Sequence, residues 1–322
     1  MRAAVIGCGV IAPMHVGSIA AAGGEVVQLC DIDTDKAARL RAAHCPGAEI
    51  TADFDEALRR NPDVVHICTP HYLHAGMAEA ALRRGINVFV EKPLCISVAE
   101  LERISEAAAR SSAQLGVCFQ NRFTPAAAEA KRLAASVTAG YCSVQWKRDA
   151  AYYASAGWRG KKATEGGGVL INQAIHTLDL LLWLIGEPRF VTANVSNRTH
   201  AGVIDVEDTA EGLIEFDNCS APFYATVSAA GSLPVEVLIE GAHALRYSGG
   251  ELFVDGKPAV LPVPQTLPGK AYWGSAHPTI IRAFYDCVRS GRPFPVDARE
   301  GGRTVRLLDA IYRSKGRRIQ VQ

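Results

Sequence analysis

The stretch "GGGVLINQAIHTLDLL", residues 166–181, sets Asn172, His176 and Asp179 into an apolar helical pattern. At i, i+4 and i+7 the three fall on one face of an α-helix. An amide donates to and accepts from a hydroxyl at once. An imidazole with an ordinary pKa near ~6.5 moves a proton on and off that hydroxyl. A carboxylate one turn on can orient the ring or bond backbone. Lys92, in "EKPL" at 91–94, is a second group of this kind. At a strand end it can bond a substrate hydroxyl and stabilise developing alkoxide charge, and Pro93 fixes the chain beside it. Such residues suit acid–base work at an alcohol, with Lys92 and His176 catalytic and Asn172 and Asp179 on the substrate.

Something must position these groups. Residues 1–120 alternate short apolar runs ("AAVIG", "VVQLCD", "VVHICTP", "NVFVEKP", "AQLGVCF") with helical patterns. Capping boxes open two of the helices, "DFDE" at 53–56 and "SVAE" at 97–100. Strands apolar on both faces and separated by helices predict a parallel, doubly wound sheet of the Rossmann type. Residues 121–322 read differently: a helix near 124–135, the strand "AGYCSVQWKRD", and the glycine-led helix. Successive strands follow from 189 to 255, and two helices, near 276–290 and 299–314, come last. That pattern predicts an α+β domain with a largely antiparallel sheet, serving substrate binding and oligomerisation.

"VIGCGVIA" sets Gly7, Gly9 and Ala12 in a G-x-G-x-x-A pattern between a strand and a helix, with Val10 and Ile11 in the turn. The first glycine permits the turn and the second lets backbone approach a pyrophosphate. The alanine allows close helix–strand packing, and the helix N-terminus favours anionic phosphate. Asp31 ends the second strand about 20 residues on, where an acid accepts from the adenosine ribose hydroxyls. It also repels a 2′-phosphate: two like charges at ~4 Å cost on the order of 4 kcal/mol at an effective dielectric of ~20. NAD is therefore expected over NADP. Thr69, Pro70 and His74, after the next strand, are expected to line the cofactor crevice, with Glu91 and Lys92 at the end of a neighbouring one.

Bulk properties exclude other classes. A net charge of +1 with well-mixed charges leaves no footprint for nucleic acid or an acidic membrane. Nine scattered cysteines without a C-x-x-C pair suit reduced thiols in a cytoplasmic protein. No signal-peptide pattern opens the chain, and "LLLWLIG" is too short to span a bilayer. His66, Cys68, His71 and His74 form no tetrahedral set, so no metal is expected.

"GCGVIA", "CTPHYLH", "EKP", "FQNR", "WRG" and "GGGVLINQAIHTLD" occur in order. Together they resemble the glucose–fructose oxidoreductase and inositol dehydrogenase family, Gfo/Idh/MocA, nearly end to end. The resemblance implies a nicotinamide-dependent oxidoreductase for secondary alcohols of sugars or cyclitols, with Lys92 and His176 as its catalytic pair. The family's usual aspartate four residues before the histidine is Asn172 here. The resemblance also puts Gln120 and Asn121 on the cofactor, Arg122 on the substrate, and Trp158 and Arg159 in a loop over the nicotinamide ribose. His277 is a candidate for the substrate pocket or for a helix start. Lys161 and Lys162 read as a solvated charge pair. A homodimer or homotetramer through the second-domain sheet is expected. The competing readings are a non-catalytic dinucleotide sensor on the same scaffold, and an NADPH-dependent reductase of small ketones or dihydrodiols, which Asp31 opposes.

Overall fold

The structure, a computed structural model, describes residues 1–263, 267 and 276–322. In its first part β1 (Arg2–Ile6), α1 (Ala12–Ala21), β2 (Glu25–Cys30), α2 (Thr34–His44), β3 (Glu49–Thr51) and α3 (Phe54–Arg59) follow one another. Next come β4 (Val64–Ile67), α4 (His71–Arg83), β5 (Asn87–Val90), α5 (Val98–Arg110) and β6 (Leu115–Val117). The six strands pair in parallel in the order β3-β2-β1-β4-β5-β6. Val64, Val65, Val88, Phe89 and Val90 are fully buried, as strands covered on both faces must be. Strand order reverses between β1 and β4, which places a ligand crevice beyond the carboxyl ends of these strands. β3 was not expected from the sequence; three residues are too few to show a period.

The chain continues through a 3₁₀ turn (Gln120–Phe123), α6 (Pro125–Leu133), β7 (Ala139–Gln145), α7 (Ala150–Ala154) and α8 (Lys162–Glu165). A π-helical turn (Leu170–Ala174) leads into α9 (Ile175–Ile185). Then come β8 (Phe190–Ser196), β9 (Thr209–Glu215), β10 (Ser220–Thr226), β11 (Glu236–Glu240), β12 (Leu245–Ser248), β13 (Glu251–Val254) and β14 (Lys257–Pro258). α10 (His277–Ser290), α11 (Ala298–Ser314) and β15 (Ile319–Gln320) end the chain. The nine strands run β14-β13-β12-β11-β7-β10-β9-β8-β15. All pairs are antiparallel except β7 with β10. The helical crossover after β7 and two hairpin reversals bring β10 back in the direction of β7.

α9 covers β7 and β11, and its leucines 178, 180, 181, 182 and 184 are all buried. A helix apolar all round belongs in a core, and each such leucine contributes roughly 1.5–3 kcal/mol. Contrary to the expectation from "LLLWLIG" alone, the run Lys162–Ile185 is long and apolar enough to cross a membrane. Most of its apolar window is nevertheless buried in the protein.

The chain forms two compact units. One comprises Met1–Cys95, Ala99–Phe123 and Pro264–Gly301; the other comprises Ile96–Val98, Thr124–Val263 and Gly302–Gln322. A single boundary between 120 and 121 therefore misplaces α10. Ile280, Ile281, Phe284 and Tyr285 line its buried face at 0% exposure, and that face packs on α1 and β5 of the first unit. An amphipathic helix announces that it will be buried, not against what.

Candidate functional site

The turn after β1 is built as its glycines require. Gly7 has φ +90°, and a Cβ there would stand 2.7 Å from the Cys68 carbonyl oxygen. A Cβ on Gly9 would point into open space, leaving room for a phosphate against the backbone. Val10 is exposed, Ile11 half-buried and Ala12 fully buried against the sheet. No side chain caps α1, so its N-terminal dipole faces the crevice undiminished. Asp31 Oδ2 accepts from the Cys8 amide at 2.7 Å and Oδ1 from the Asp33 amide at 2.8 Å. These bonds aim the carboxylate at the glycine turn and leave further lone pairs for hydroxyl donors. The residues present fit a dinucleotide.

Lys92 follows β5, half-buried, and its bond to Pro93 is cis. Glu91 beside it is buried in a polar cluster of the same unit. Its Oε1 lies 2.9 Å from His15 Nε2 and 3.8 Å from His277 Nε2. The chain of contacts goes on from His15 Nδ1 to His66 Nδ1 at 3.0 Å and from His66 Nε2 to the Tyr285 hydroxyl at 2.9 Å. Burial alone would raise the Glu91 pKa; His15, His277 and Lys92 outweigh it and hold the carboxyl below the ordinary carboxylate range. Glu91 is thus a fixed anion behind the lysine, an internal anchor where a cofactor contact was expected. His277 is likewise 2% exposed and belongs to this cluster, not to an open substrate pocket. Sequence reasoning missed His15 and Tyr285, which sit in helices with no local mark of polar partnership.

The four residues weighed as metal ligands are not drawn together. His66 joins the cluster above, and the fully buried His74 bridges two backbone carbonyls, Pro93 at 2.7 Å and Thr69 at 2.8 Å. With both ring nitrogens engaged, His74 braces the crevice loops instead of facing a ligand. Thr69 and Pro70 stay half-buried at the start of α4. His15, Glu91 and Cys118 do bring ligating atoms within 4.8 Å of one another, but burial and Glu91 push the Cys118 thiol pKa up. In "FQNR", Gln120 is buried, Asn121 is half-buried, and Arg122 forms an ion pair with Glu300 at 2.8 Å. With its side chain 3% exposed, Arg122 is a structural cation and does not read a substrate.

In the second unit the glycine run exists for close approach. A Cβ on Gly168 would stand 1.8 Å from the Glu207 carbonyl oxygen. The buried Glu207 carboxylate accepts from the Gly168 and Leu170 amides at 2.9 and 3.1 Å and from the Tyr312 hydroxyl at 3.0 Å. Asn172 lies in the π turn that follows, and His176 and Asp179 lie in α9 beyond it, so the turn shifts the phase of Asn172 against the other two. Asn172 and His176 are half-buried, whereas Asp179 is 1% exposed inside the unit. That burial removes Asp179 from substrate contact.

Asn172 Nδ2 donates to Glu165 and, at 3.3 Å, to the Tyr152 hydroxyl. Glu165, 1% exposed, also accepts from the Gly160 amide at 2.5 Å. It ties the "WRG" loop to the Asn172 turn, and neither it nor Tyr152 was singled out from the sequence. Trp158 and Arg159 are half-buried in that loop, and the Arg159 guanidinium lies 4.4 Å from the Tyr152 ring centroid. Lys161 and Lys162 are both exposed, as a solvated pair would be, and the Lys162 ammonium also donates to the Gly166 carbonyl at 2.6 Å and sits 3.8 Å over the Tyr312 ring.

The first unit is a dinucleotide-binding domain of the Rossmann class. The chain belongs to the GFO/IDH/MocA oxidoreductase family: residues 1–119 match the family's NAD-binding Rossmann fold and 134–244 its C-terminal domain. WlbA dehydrogenase from Bordetella pertussis, solved with NADH and UDP-GlcNAcA, is 27% identical with a TM-score of 0.87. The match covers 100% of this chain and 98% of that one. Inositol 2-dehydrogenase 2 of Saccharopolyspora erythraea is 29% identical over 227 residues, 68% of this chain and 64% of that protein. A 1-carboxy-3-chloro-3,4-dihydroxycyclohexa-1,5-diene dehydrogenase of Comamonas testosteroni is 35% identical over 198 residues, 58% and 48% of the two chains. The chain thus spans less than two thirds of the length of these two curated relatives.

Proposed function

We propose that the protein is an NAD-dependent oxidoreductase. It transfers hydride between the nicotinamide and a secondary alcohol or ketone of a sugar, sugar derivative or cyclitol. The observation that carries this reading is Lys92, backed by the fixed Glu91 anion, at the same carboxyl edge of the parallel sheet as the glycine turn. Ligands of such sheets bind at that edge. The nicotinamide supplies hydride exchange with a carbon. The chain supplies the rest: the glycine turn and Asp31 hold the dinucleotide, Lys92 stabilises alkoxide charge on the substrate oxygen, and His176 and Lys92 handle the hydroxyl proton. Thr69, Pro70, Gln120, Asn121, Trp158 and Arg159 are assigned to the cofactor and Asn172 to a substrate hydroxyl. A site that pairs buried polar groups with ring hydroxyls rejects analogues lacking them. NADH formation is therefore expected from sugars, cyclitols, glycosides or nucleotide sugars, and not from short aliphatic alcohols. Turnover confined to aliphatic alcohols, or to none of these compounds, would overturn the reading.

Asp31 sets the choice of dinucleotide. NAD is expected to bind at least about tenfold more tightly than NADP, because a 2′-phosphate would meet a carboxylate already fixed by two amides. Fluorescence titrations of both cofactors check this, and Asp31→Ser should narrow the ratio; equal affinities in the wild type would refute it. A cytoplasmic setting accords with the nine free cysteines. A homodimer or homotetramer through the nine-stranded sheet accords with the exposure of Val195 and Leu213 there, and sedimentation reads its size.

A further inference from the structure

We infer that His15 is a positioning residue: its imidazole keeps the Glu91 carboxyl ionised behind Lys92, and that charge governs how firmly Lys92 holds its proton. This rests on the oxidoreductase reading above for the task of Lys92 and adds what controls it. Four elements of the first unit meet here. His15 stands on α1, His66 in β4, Glu91 just after β5 and Tyr285 on α10, all of them buried. Hydrogen bonds join them in one line. The Tyr285 hydroxyl lies 2.9 Å from His66 Nε2, His66 Nδ1 lies 3.0 Å from His15 Nδ1, and His15 Nε2 lies 2.9 Å from Glu91 Oε1.

Donor and acceptor rules fix one proton in this line. An ionised carboxylate only accepts, so the proton between His15 and Glu91 sits on His15 Nε2. A neutral imidazole carries a single N–H. Neutral His15 therefore accepts at Nδ1 from His66, and His66 accepts at Nε2 from the Tyr285 hydroxyl. When His15 takes a second proton the line reverses: Nδ1 donates to His66, whose Nε2–H donates to the tyrosine oxygen. A hydroxyl serves either direction. Glu91 keeps its donor in both states of His15, and no buried N–H of the line is left unpaired.

The other groups that face Glu91 do less. His277 Nε2, on α10, is 3.8 Å away and beyond hydrogen-bond reach. Burial lowers the His277 pKa to about 4, so the ring is neutral at pH 7. Burial and Glu91 push the thiol pKa values of Cys68, after β4, and Cys118, after β6, upwards, so both stay uncharged. Burial is the largest influence on Glu91 itself and raises its pKa; His15 is the first of the groups that pull it down, ahead of His277 and Lys92. Fully buried glutamates without such a donor titrate at ~8–9. Lys92 in turn feels Glu91, His74, His277 and Cys118. Burial lowers the His74 pKa as well, so Glu91 is the charged one of these four at pH 7. A neighbouring anion favours the protonated amine.

The test follows acetylation of Lys92 by acetic anhydride in the full chain at pH 7, read by mass spectrometry, since only the unprotonated amine reacts. Glu91→Gln removes the charge at constant shape and should speed labelling by about tenfold or more, the lower end for loss of an adjacent opposite charge. His15→Leu should speed it similarly, because Glu91 then takes up a proton, and its infrared spectrum should gain a protonated-carboxyl band that His15→Leu/Glu91→Gln lacks. His15→Gln, whose amide presents an N–H at the same reach, should label at the wild-type rate. Nitrogen NMR of the wild type tests the same bond whether or not the leucine variant folds: His15 Nε2 should stay protonated from neutral to alkaline pH. A His15 whose only proton is on Nδ1, labelling unmoved by Glu91→Gln, or equal labelling in His15→Gln and His15→Leu overturns the inference. NADH formation from sugars is scored separately. The expected labelling without turnover of any sugar keeps the positioning role and loses the oxidoreductase reading. Turnover with labelling unmoved by Glu91→Gln keeps the reading and loses the role.

Discussion

Lys92→Ala and His176→Ala are each expected to lower turnover by about 100-fold or more while NAD binding survives. General acid–base catalysis contributes typically ~10²–10⁴-fold, and removal of a group that stabilises oxyanion charge costs a similar amount. The two losses have separate origins. Without Lys92 the alkoxide has no cation beside it, although Glu91 stays anchored through His15. Without His176 the hydroxyl proton loses its imidazole acceptor, while the glycine run remains held by Glu207. Steady-state kinetics with a sugar substrate give turnover, and NADH titration gives cofactor affinity. Full activity in either variant would remove that residue from the chemistry. Loss of NADH binding in step with turnover would point to a structural role instead.

Stability should fall on acidification between pH 6.5 and 4.5, and His277→Gln should make the fall shallower by about 2–3 kcal/mol. Burial is the main cause that lowers the His277 pKa to about 4, with His15 and Lys92 adding to it and Glu91 opposing. Between the folded and unfolded values the unfolded chain binds more protons, so stability rises with pH there and is lost as pH falls below ~6.5. Each tenfold difference in proton affinity between the two states is worth about 1.4 kcal/mol, and His277 is 2% exposed, so little solvent screening intervenes. Burial lowers the His66 pKa as well, so the variant keeps part of the slope. The depressed Glu91 carboxyl acts in a lower window, below ~4.5, where its stabilising ionisation is withdrawn. Urea melts at half-unit pH steps measure the difference between wild type and variant. Parallel curves would show that His277 is not held neutral.

The doubly wound sheet was legible because its signals are local. Strand runs such as "VVHI" are apolar on both faces, Asp53 caps the next helix through the Asp55 and Glu56 amides, and the glycine turn is a six-residue pattern. Asp31 was legible for the same reason, since a strand end at a set distance from that turn can be counted along the chain. Lys92 and His176 were singled out by residue type and motif. The structure then placed Lys92 beside a fixed anion and His176 on a helix whose phase a π turn had shifted. Helical counting assumes 3.6 residues per turn throughout, so the wider turn at Leu170–Ala174, which shifts Asn172 against His176, was invisible to it; Asp179 was lost to burial, which counting along a helix does not report.

Long-range partnership is what the sequence could not state. Arg122 looked like a substrate reader until Glu300, 178 positions away, was found 2.8 Å from it. His74 and His277 read as crevice residues until their burial was known. Glu165 and Tyr152 have no marked spacing, yet they enclose Asn172. The amphipathic period of α10 determined that one face would be buried; only packing decided that α1 and β5 would bury it. The sequence by itself determined the parallel sheet, the dinucleotide turn and the polar residue types available for chemistry, because backbone preference and side-chain period act over a few neighbours. Tertiary structure alone decided which polar groups are engaged by one another and which remain for a ligand. That depends on burial and on hydrogen bonds between residues far apart in the chain.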